Sequence, residues 1–326
     1  MTVIPSQALA DRPRQRRRSV GKARWWQVLL YLSPFIIGLC VFTIYPLIAA
    51  LYYSFTNFQT GSLRPVQFVG LQNYRNLFGG AVSTLFWTSV RNTLWMVVVL
   101  VPCQTIWAMA LATLINRFKR SQKVYRTLFY LPAMVPIVAA ALGFLVMMGY
   151  DGPLSSIFKA VGLAMPHWFT DPSWSKPSLA LLRMWMVGNT MVIFSAALLN
   201  VPRQLYEAAE LDGAGAIRRF ITVTLPGISP VIYFSVLTGV IYTFQYFSEA
   251  YVVSGAANQA MSTNQLLGYP QFSLYFYSTG IYQQGFSYFK TGVASAMAWL
   301  LFLVIFAVTI VFIRSSRRLI YYAGDD

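Results

Sequence analysis

Six stretches of predominantly apolar residues, at 28–53, 91–115, 127–149, 178–199, 231–254 and 291–313, constrain this chain more than any other feature. A helix rises 1.5 Å per residue, so about 20 residues cross the ~30 Å hydrocarbon core of a bilayer with the backbone satisfied internally. Pro34, Pro46, Pro102, Pro132 and Pro136 lie inside these stretches. Proline breaks most water-soluble helices, whereas membrane helices tolerate it when neighbours take up the freed backbone groups. Pro132 and Pro136 predict a kink near the start of the third stretch. Only 10% of the 326 residues are charged, against about a quarter in a soluble domain. The expected fold is an all-α integral membrane protein with six transmembrane helices, and water-soluble classes are excluded.

A net charge of +16 raises nucleic acid as a partner, but the charge is not placed for it. Arg12, Arg14, Arg16, Arg17, Arg18, Lys22 and Arg24 sit in the N-terminal tail, and most other cations flank apolar stretches. Counting the tails and the 116–126 and 200–230 loops, eighteen cations fall on one side. Arg64, Arg75, Lys159 and Lys176 fall on the other. That asymmetry predicts both termini in the cytoplasm, in agreement with an even number of spans. The expected layout is a basic cytoplasmic tail over 1–27, a transmembrane domain over 28–313 and a cytoplasmic C-terminal tail over 314–326. The tail followed by an apolar run superficially resembles a secretory or twin-arginine signal. That run is too long for a signal core and lacks a small-residue cleavage site, so it reads as an uncleaved first span. Trp25 and Trp26 stand where an interfacial anchor belongs.

Cys40 and Cys103 lie in apolar stretches and offer no metal-ligand spacing. The sole histidine, His167, sits in a loop beside Trp168, and no catalytic triad or metal cluster can be assembled around it. The outward segments 54–90, 150–177 and 255–290 are rich in aromatics, glycine and proline. They either pack on a partner or docking protein or lie as helices on the membrane surface.

Three of the nine acidic residues, Glu207, Glu210 and Asp212, fall within six positions of the inward-facing 200–230 loop. Pro202 is suited to open a short helix. Gly213 supplies a left-handed terminator. Ile217, Phe220 and Ile221 recur at helical spacing, and Leu225-Pro226 is expected to stop the second helix. Two uses are open to such a unit: a linker on the membrane surface with solvated charges, or a rigid knob entering a socket on another protein.

Glu207-Ala208-Ala209, three residues, Gly213, nine residues, Val223, one residue and Leu225-Pro226 resemble the EAA motif of importer permeases, with valine for isoleucine as the one departure. With Ser33-Pro34, Tyr45-Pro46, VGLQNYRNLF (69–78), Tyr130-Leu131-Pro132 and Leu205-Tyr206, the chain is similar over nearly its whole length to binding-protein-dependent ABC importer permeases of the carbohydrate-uptake branch. The resemblance implies that 203–222 are coupling helices docking on a cytoplasmic ATPase dimer. Glu207 would pair with a cationic group there, Gly213 would permit the turn, and Ala208, Ala209, Asp212, Leu225 and Pro226 would complete the element. It further implies a second homologous permease, an extracellular or periplasmic solute-binding protein, a multi-pass location in the cytoplasmic (inner) membrane, and alternating access by rigid-body motion. No G-x-x-x-x-G-K-[ST] loop occurs in the chain, so ATP and Mg belong to the partner ATPase. The chain itself is expected to be no enzyme, to bind no cofactor and to have no nucleic-acid partner. The implied cargo is a sugar or oligosaccharide; the alternatives are glycerol 3-phosphate or a glycerophosphodiester, and, remotely, a non-transporting membrane scaffold.

Polar side chains inside spans are candidates for a solute path. Asn189 and Thr190 in the fourth stretch, and Tyr242, Gln245, Tyr246 and Glu249 in the fifth, lie at comparable depths, ~15 Å down for Asn189 and Gln245 at helical rise. The spacing 242, 245/246, 249 puts the second set on one helical face. Aromatic faces with amide and carboxylate groups suit a sugar ring; interhelical hydrogen bonding is the other reading. Arg183 and Glu249 also admit snorkelling toward the outer surface.

Overall fold

A computed structural model describes residues 25–118, 120–149, 152–260 and 267–319. The tail cations before Trp25, Lys119, and the last residues from 320 lie outside the described residues. The described residues are helical, with one isolated antiparallel bridge between Thr56 and Phe68. By internal packing the chain divides into Met1–Ala49 and Ala50–Asp326.

In the first unit the chain enters helix at Trp25, passes through a π-turn at Cys40–Ile44 and returns to α-helix at Tyr45. The whole run, α1, spans Trp25–Ser54. Phe35 and Phe42 are exposed on it, as lipid-facing side chains of a spanning helix are.

The second unit is organised on α3 (Ser83–Arg117), whose buried stripe includes Met96, Leu100, Ala108, Leu111 and Ile115. Pro102 lies within it. Around it run α2 (Gln72–Gly79), α4 (Gln122–Tyr130) with a 3-10 turn at Leu131–Met134, α5 (Ile137–Met147), α6 (Pro153–Ala160), α7 (Pro172–Trp185) and α8 (Gly188–Asn200). Then come α9 (Arg203–Leu211), α10 (Ala216–Gly227), α11 (Ser229–Phe244), α12 (Ser248–Ala260), α13 (Tyr277–Tyr282) and α14 (Thr291–Leu319). The last helix therefore continues past Ile313 into the segment expected as a tail.

α1, α3 and α14 are each long and apolar enough to cross a membrane. Three further pairs qualify only jointly: α4 with its 3-10 turn and α5, bent by 97°; α7 and α8, by 50°; α10 and α11, by 68°. Proline explains the first bend: Val135, before Pro136, is forced out of helix to ψ 133°. The expected kink of the third stretch is thus a sharp break. At the second bend Gly188 lies against α4, where an added Cβ would come within 2.9 Å of Tyr130 Cα.

Two prolines are accommodated differently. Tyr45 N–H bonds to the Cys40 carbonyl and Leu225 N–H to the Phe220 carbonyl, each a π-turn immediately ahead of Pro46 or Pro226. A proline ring clashes with the carbonyl four residues back; the wider turn opens that space. The second short helix ends where Leu225-Pro226 predicts, within a residue: α10 runs through Pro226 to Gly227 and the chain then bends by 68°.

Polar side chains fasten both ends of the bundle. Asn73, from VGLQNYRNLF, is buried and donates to the carbonyls of Ser54 and Thr56, each at 2.8 Å, satisfying the exit of α1. Asn92 of α3 donates to the Phe272 and Tyr275 carbonyls at 2.8 and 3.0 Å, and Thr93 accepts from Tyr277 N–H at 2.9 Å. Those bonds hold the segment before α13 on the helix. At the opposite end of α3, Asn116 accepts from Ser195 Oγ at 2.7 Å, and Arg126 Nη2 donates to that Oγ at 2.8 Å.

Candidate functional site

The loop between α8 and α11 is a braced pair of short helices. Pro202 immediately precedes α9, at its N-cap position and without a side-chain capping hydrogen bond, one place ahead of the helical position expected for it. Asp212 ends it and Gly213 follows at φ +75°. Gly213 N–H bonds to the Glu210 carbonyl at 3.0 Å, and Ala214 N–H to the Ala209 carbonyl at 2.9 Å. These two bonds define a Schellman termination with Gly213 at its left-handed position. The spacing between Ala209 and Gly213 is therefore the spacing of one helix stop. Glu210 pairs with Arg219 across the turn, and Tyr206 and Thr224 hydroxyls meet at 2.9 Å at the base.

Glu207, Ala208 and Asp212 are exposed on this unit, while Ala209, Leu225 and Pro226 are half-buried. The tip also carries Leu211, 90% exposed, and Ile217, 79% exposed. Leu211 was not singled out by sequence reasoning; an apolar residue set between Glu210 and Asp212 is the signal that marks it. A rigid tip with bare aliphatic groups beside carboxylates has the form of a protein-docking element.

The second feature is a cavity of about 680 Å³ bounded by α3, α7, α8, α11 and α12. Thr190, Tyr242, Gln245, Tyr246 and Glu249 line it. Asn189 is exposed on the adjacent face of α8 and does not. Arg183 lines it too, and so does Gln104 of α3, which sequence reasoning passed over although an amide in an apolar stretch is the expected mark of such a lining.

The fifth stretch does not form the single helix expected over 231–254; α11 and α12 are separated at 245–247. Gln245 closes the end of α11. Its backbone N–H turns to the Tyr242 carbonyl at 3.2 Å, while its side-chain Nε2 takes the Ile241 carbonyl at 3.1 Å. With that carbonyl already satisfied, the helix ends at little cost. Tyr242 and Glu249 consequently stand on different helices, and the break rather than helical spacing brings them to one cavity. Non-helical backbone at such depth is tolerated where it lines a cavity.

Glu249 is 2% exposed, and its Oε1 lies 2.5 Å from Arg183 Nε. The contact is a charge pairing without the alignment of a hydrogen bond. The guanidinium sits 5.4 Å from the centroid of the Tyr246 ring, whose other neighbour is Phe276, edge-on at 5.2 Å. This pairing replaces the snorkelling reading of both residues. His167 lines a separate, largely apolar cavity of about 610 Å³ with Met148, Leu163 and Phe169.

Long apolar helices, spans broken around a polar cavity, and a rigid exposed loop joining two of them define a helical membrane permease. The chain belongs to the family of binding-protein-dependent transport system inner membrane components, whose description matches residues 104–321. It is 33% identical over 298 residues to a probable ABC transporter permease protein, YesP, of Bacillus subtilis (strain 168), covering 91% of this chain and 92% of that one. It is 34% identical over 268 residues to the lactose transport system permease protein LacF of Rhizobium radiobacter, covering 80% and 86%. Among solved structures, a bacterial alginate ABC transporter in complex with an alginate pentasaccharide-bound periplasmic protein shares the fold. The TM-score is 0.72 at 22% identity, over 90% of this chain and 94% of that one.

Proposed function

We propose that this chain is a transmembrane subunit of an ATP-driven importer that carries a sugar or oligosaccharide across the cytoplasmic membrane by alternating access. In this reading α1, α3, α14 and the three bent pairs are six spans, with both termini in the cytoplasm. The segment 28–313 is the permease domain and the segments 1–27 and 314–326 are cytoplasmic tails. A second, homologous permease completes the pathway. A solute-binding protein delivers cargo on the outer side, as supported by membership of a binding-protein-dependent family. ATP and Mg are bound and ATP is hydrolysed by a cytoplasmic ATPase dimer, and this chain supplies no catalytic residue and no metal site.

The observation that carries the reading is the braced loop from Glu207 to Pro226. Its Schellman stop, its Glu210–Arg219 pair and its Tyr206–Thr224 bond make it stiff enough to transmit force. Leu211 and Ile217 give it a desolvating tip, with Glu207, Ala208, Ala209, Asp212, Gly213, Leu225 and Pro226 as the docking and shaping residues. The cavity residues Thr190, Tyr242, Gln245, Tyr246 and Glu249, with Gln104, form this subunit's share of the solute path, and Asn189 faces a neighbouring surface. Glu207→Lys is expected to cut uptake at least about tenfold, as loss of a charged interface pair does, while leaving the two permeases assembled. Copurification of the ATPase and transport in the same preparation check it; unchanged uptake with the ATPase retained would remove the coupling assignment.

An anionic cargo such as glycerol 3-phosphate or a glycerophosphodiester is the second reading, favoured by Arg183 in the cavity wall. Its charge is already matched by Glu249, and the neutral sugar is the reading kept.

A further inference from the structure

Among the described residues lining the cavity, Arg183 and Glu249 alone carry charge, and they face each other. The rest of its polar wall is uncharged: Gln104, Thr190, Ser235, Thr238, Tyr242 and Gln245 offer hydroxyl and amide groups. Arg183 comes from α7 and Glu249 from the first turn of α12, so the pair ties α7 to α12 immediately after the break in the fifth stretch.

The two partners are not equivalent. Glu249 is 2% exposed, whereas the Arg183 side chain is 34% exposed. A carboxylate buried that deeply must be paired, since an isolated buried charge is strongly disfavoured. The guanidinium has five N–H donors in a planar fork. Pairing through Nε engages one edge and leaves a third of the side chain accessible. Against the Tyr246 ring the plane is held from a second side.

We infer that the Arg183–Glu249 pair sets the charge rule of the cavity: Glu249 cancels the guanidinium's charge, so that Arg183 serves a neutral saccharide as a hydrogen-bond donor and acidic sugars gain nothing from it. The inference rests on the cavity being the solute path. It follows that one atom exchange, Glu249→Gln, changes the substrate class. The isosteric amide leaves an uncompensated cation beside hydroxyl and amide groups, an arrangement suited to a carboxylate.

The test is equilibrium binding of maltotriose and trigalacturonate, neutral and acidic probes of equal length, to the purified complete transporter in detergent. Glu249→Gln is expected to raise trigalacturonate affinity about tenfold or more, the scale of a charge-assisted bond, with the gain shrinking as salt rises. No gain in trigalacturonate binding overturns the charge rule, whatever happens to maltotriose. The double variant Arg183→Gln/Glu249→Gln keeps the two helices joined by a neutral amide pair. It is expected to lose the gain, and a gain that persists without Arg183 also overturns the rule. Tyr242→Ala separates the underlying reading: it should weaken binding of whichever probe each protein takes. If Tyr242→Ala changes nothing, the cavity is not the solute path. If it weakens binding while Glu249→Gln leaves the probe preference as it was, the charge rule alone fails.

Discussion

Gly213 shows how much a single residue settles here. At φ +75° a side chain meets its own backbone, which costs about 1–2 kcal/mol in the left-handed region. Gly213→Val should therefore loosen the tip without touching either flanking span. Faster amide exchange at Gly213 and Ala214 is the expected signature, with normal membrane assembly and reduced uptake; unchanged protection would mean the turn is held by its neighbours instead. This position was legible in the sequence because the stop signal is local: acidic helix, glycine, second helix. Gln104 and Asn189 were not, for the opposite reason. Which face of a helix meets a cavity depends on partners from other helices, and Asn189 and Thr190, one residue apart, end up on different sides of that boundary.

At the level of elements, the apolar stretches are where sequence reasoning reaches furthest, since length against bilayer thickness is decisive. Their breaks are less accessible. The one at Pro136 follows from ring sterics, but the one at 245–247 has no proline or glycine to mark it and is closed by a glutamine whose amide reaches back to its own helix. At Pro226 a π-turn lets the helix pass the ring, and α10 ends one residue later, at Gly227. The junction of α7 and α8 has a sharper requirement. With backbone 2.9 and 3.0 Å from the place of a Cβ, Gly188 is the residue that lets α8 close on α4. Gly188→Leu has no rotamer that avoids that backbone and should destabilise the bundle by about 1–3 kcal/mol, the usual penalty of overpacking. A lower melting temperature of the detergent-purified complex, together with reduced yield, is the measurement; a wild-type melting curve would show that α4 simply moves away.

For the whole molecule, the proposed six-span arrangement puts residue 62 outside and residue 211 inside. Cys40 and Cys103 are both exposed on the isolated chain, so a background with both replaced by alanine is needed before single cysteines are introduced. Ser62→Cys should react with an impermeant thiol reagent in intact cells, and Leu211→Cys only after the membrane is opened. Labelling of both from outside would mean a different number of crossings. The orientation is an expectation from where the basic residues fall along the sequence, and needs no knowledge of packing. The length of α3 has a mechanical meaning beyond its crossing. Thirty-five residues make a rod of ~52 Å, well beyond the ~30 Å it has to traverse. Its N-terminal portion is pinned to the 267–287 segment through Asn92 and Thr93, and its C-terminal end to α8 through the Asn116–Ser195 bond, with Arg126 of α4 on the same Ser195 hydroxyl. Tied near both ends, the helix joins the α4–α8 corner to the 267–287 segment through one continuous backbone, so in the proposed transporter a displacement of that corner would reach the far segment without crossing a loop.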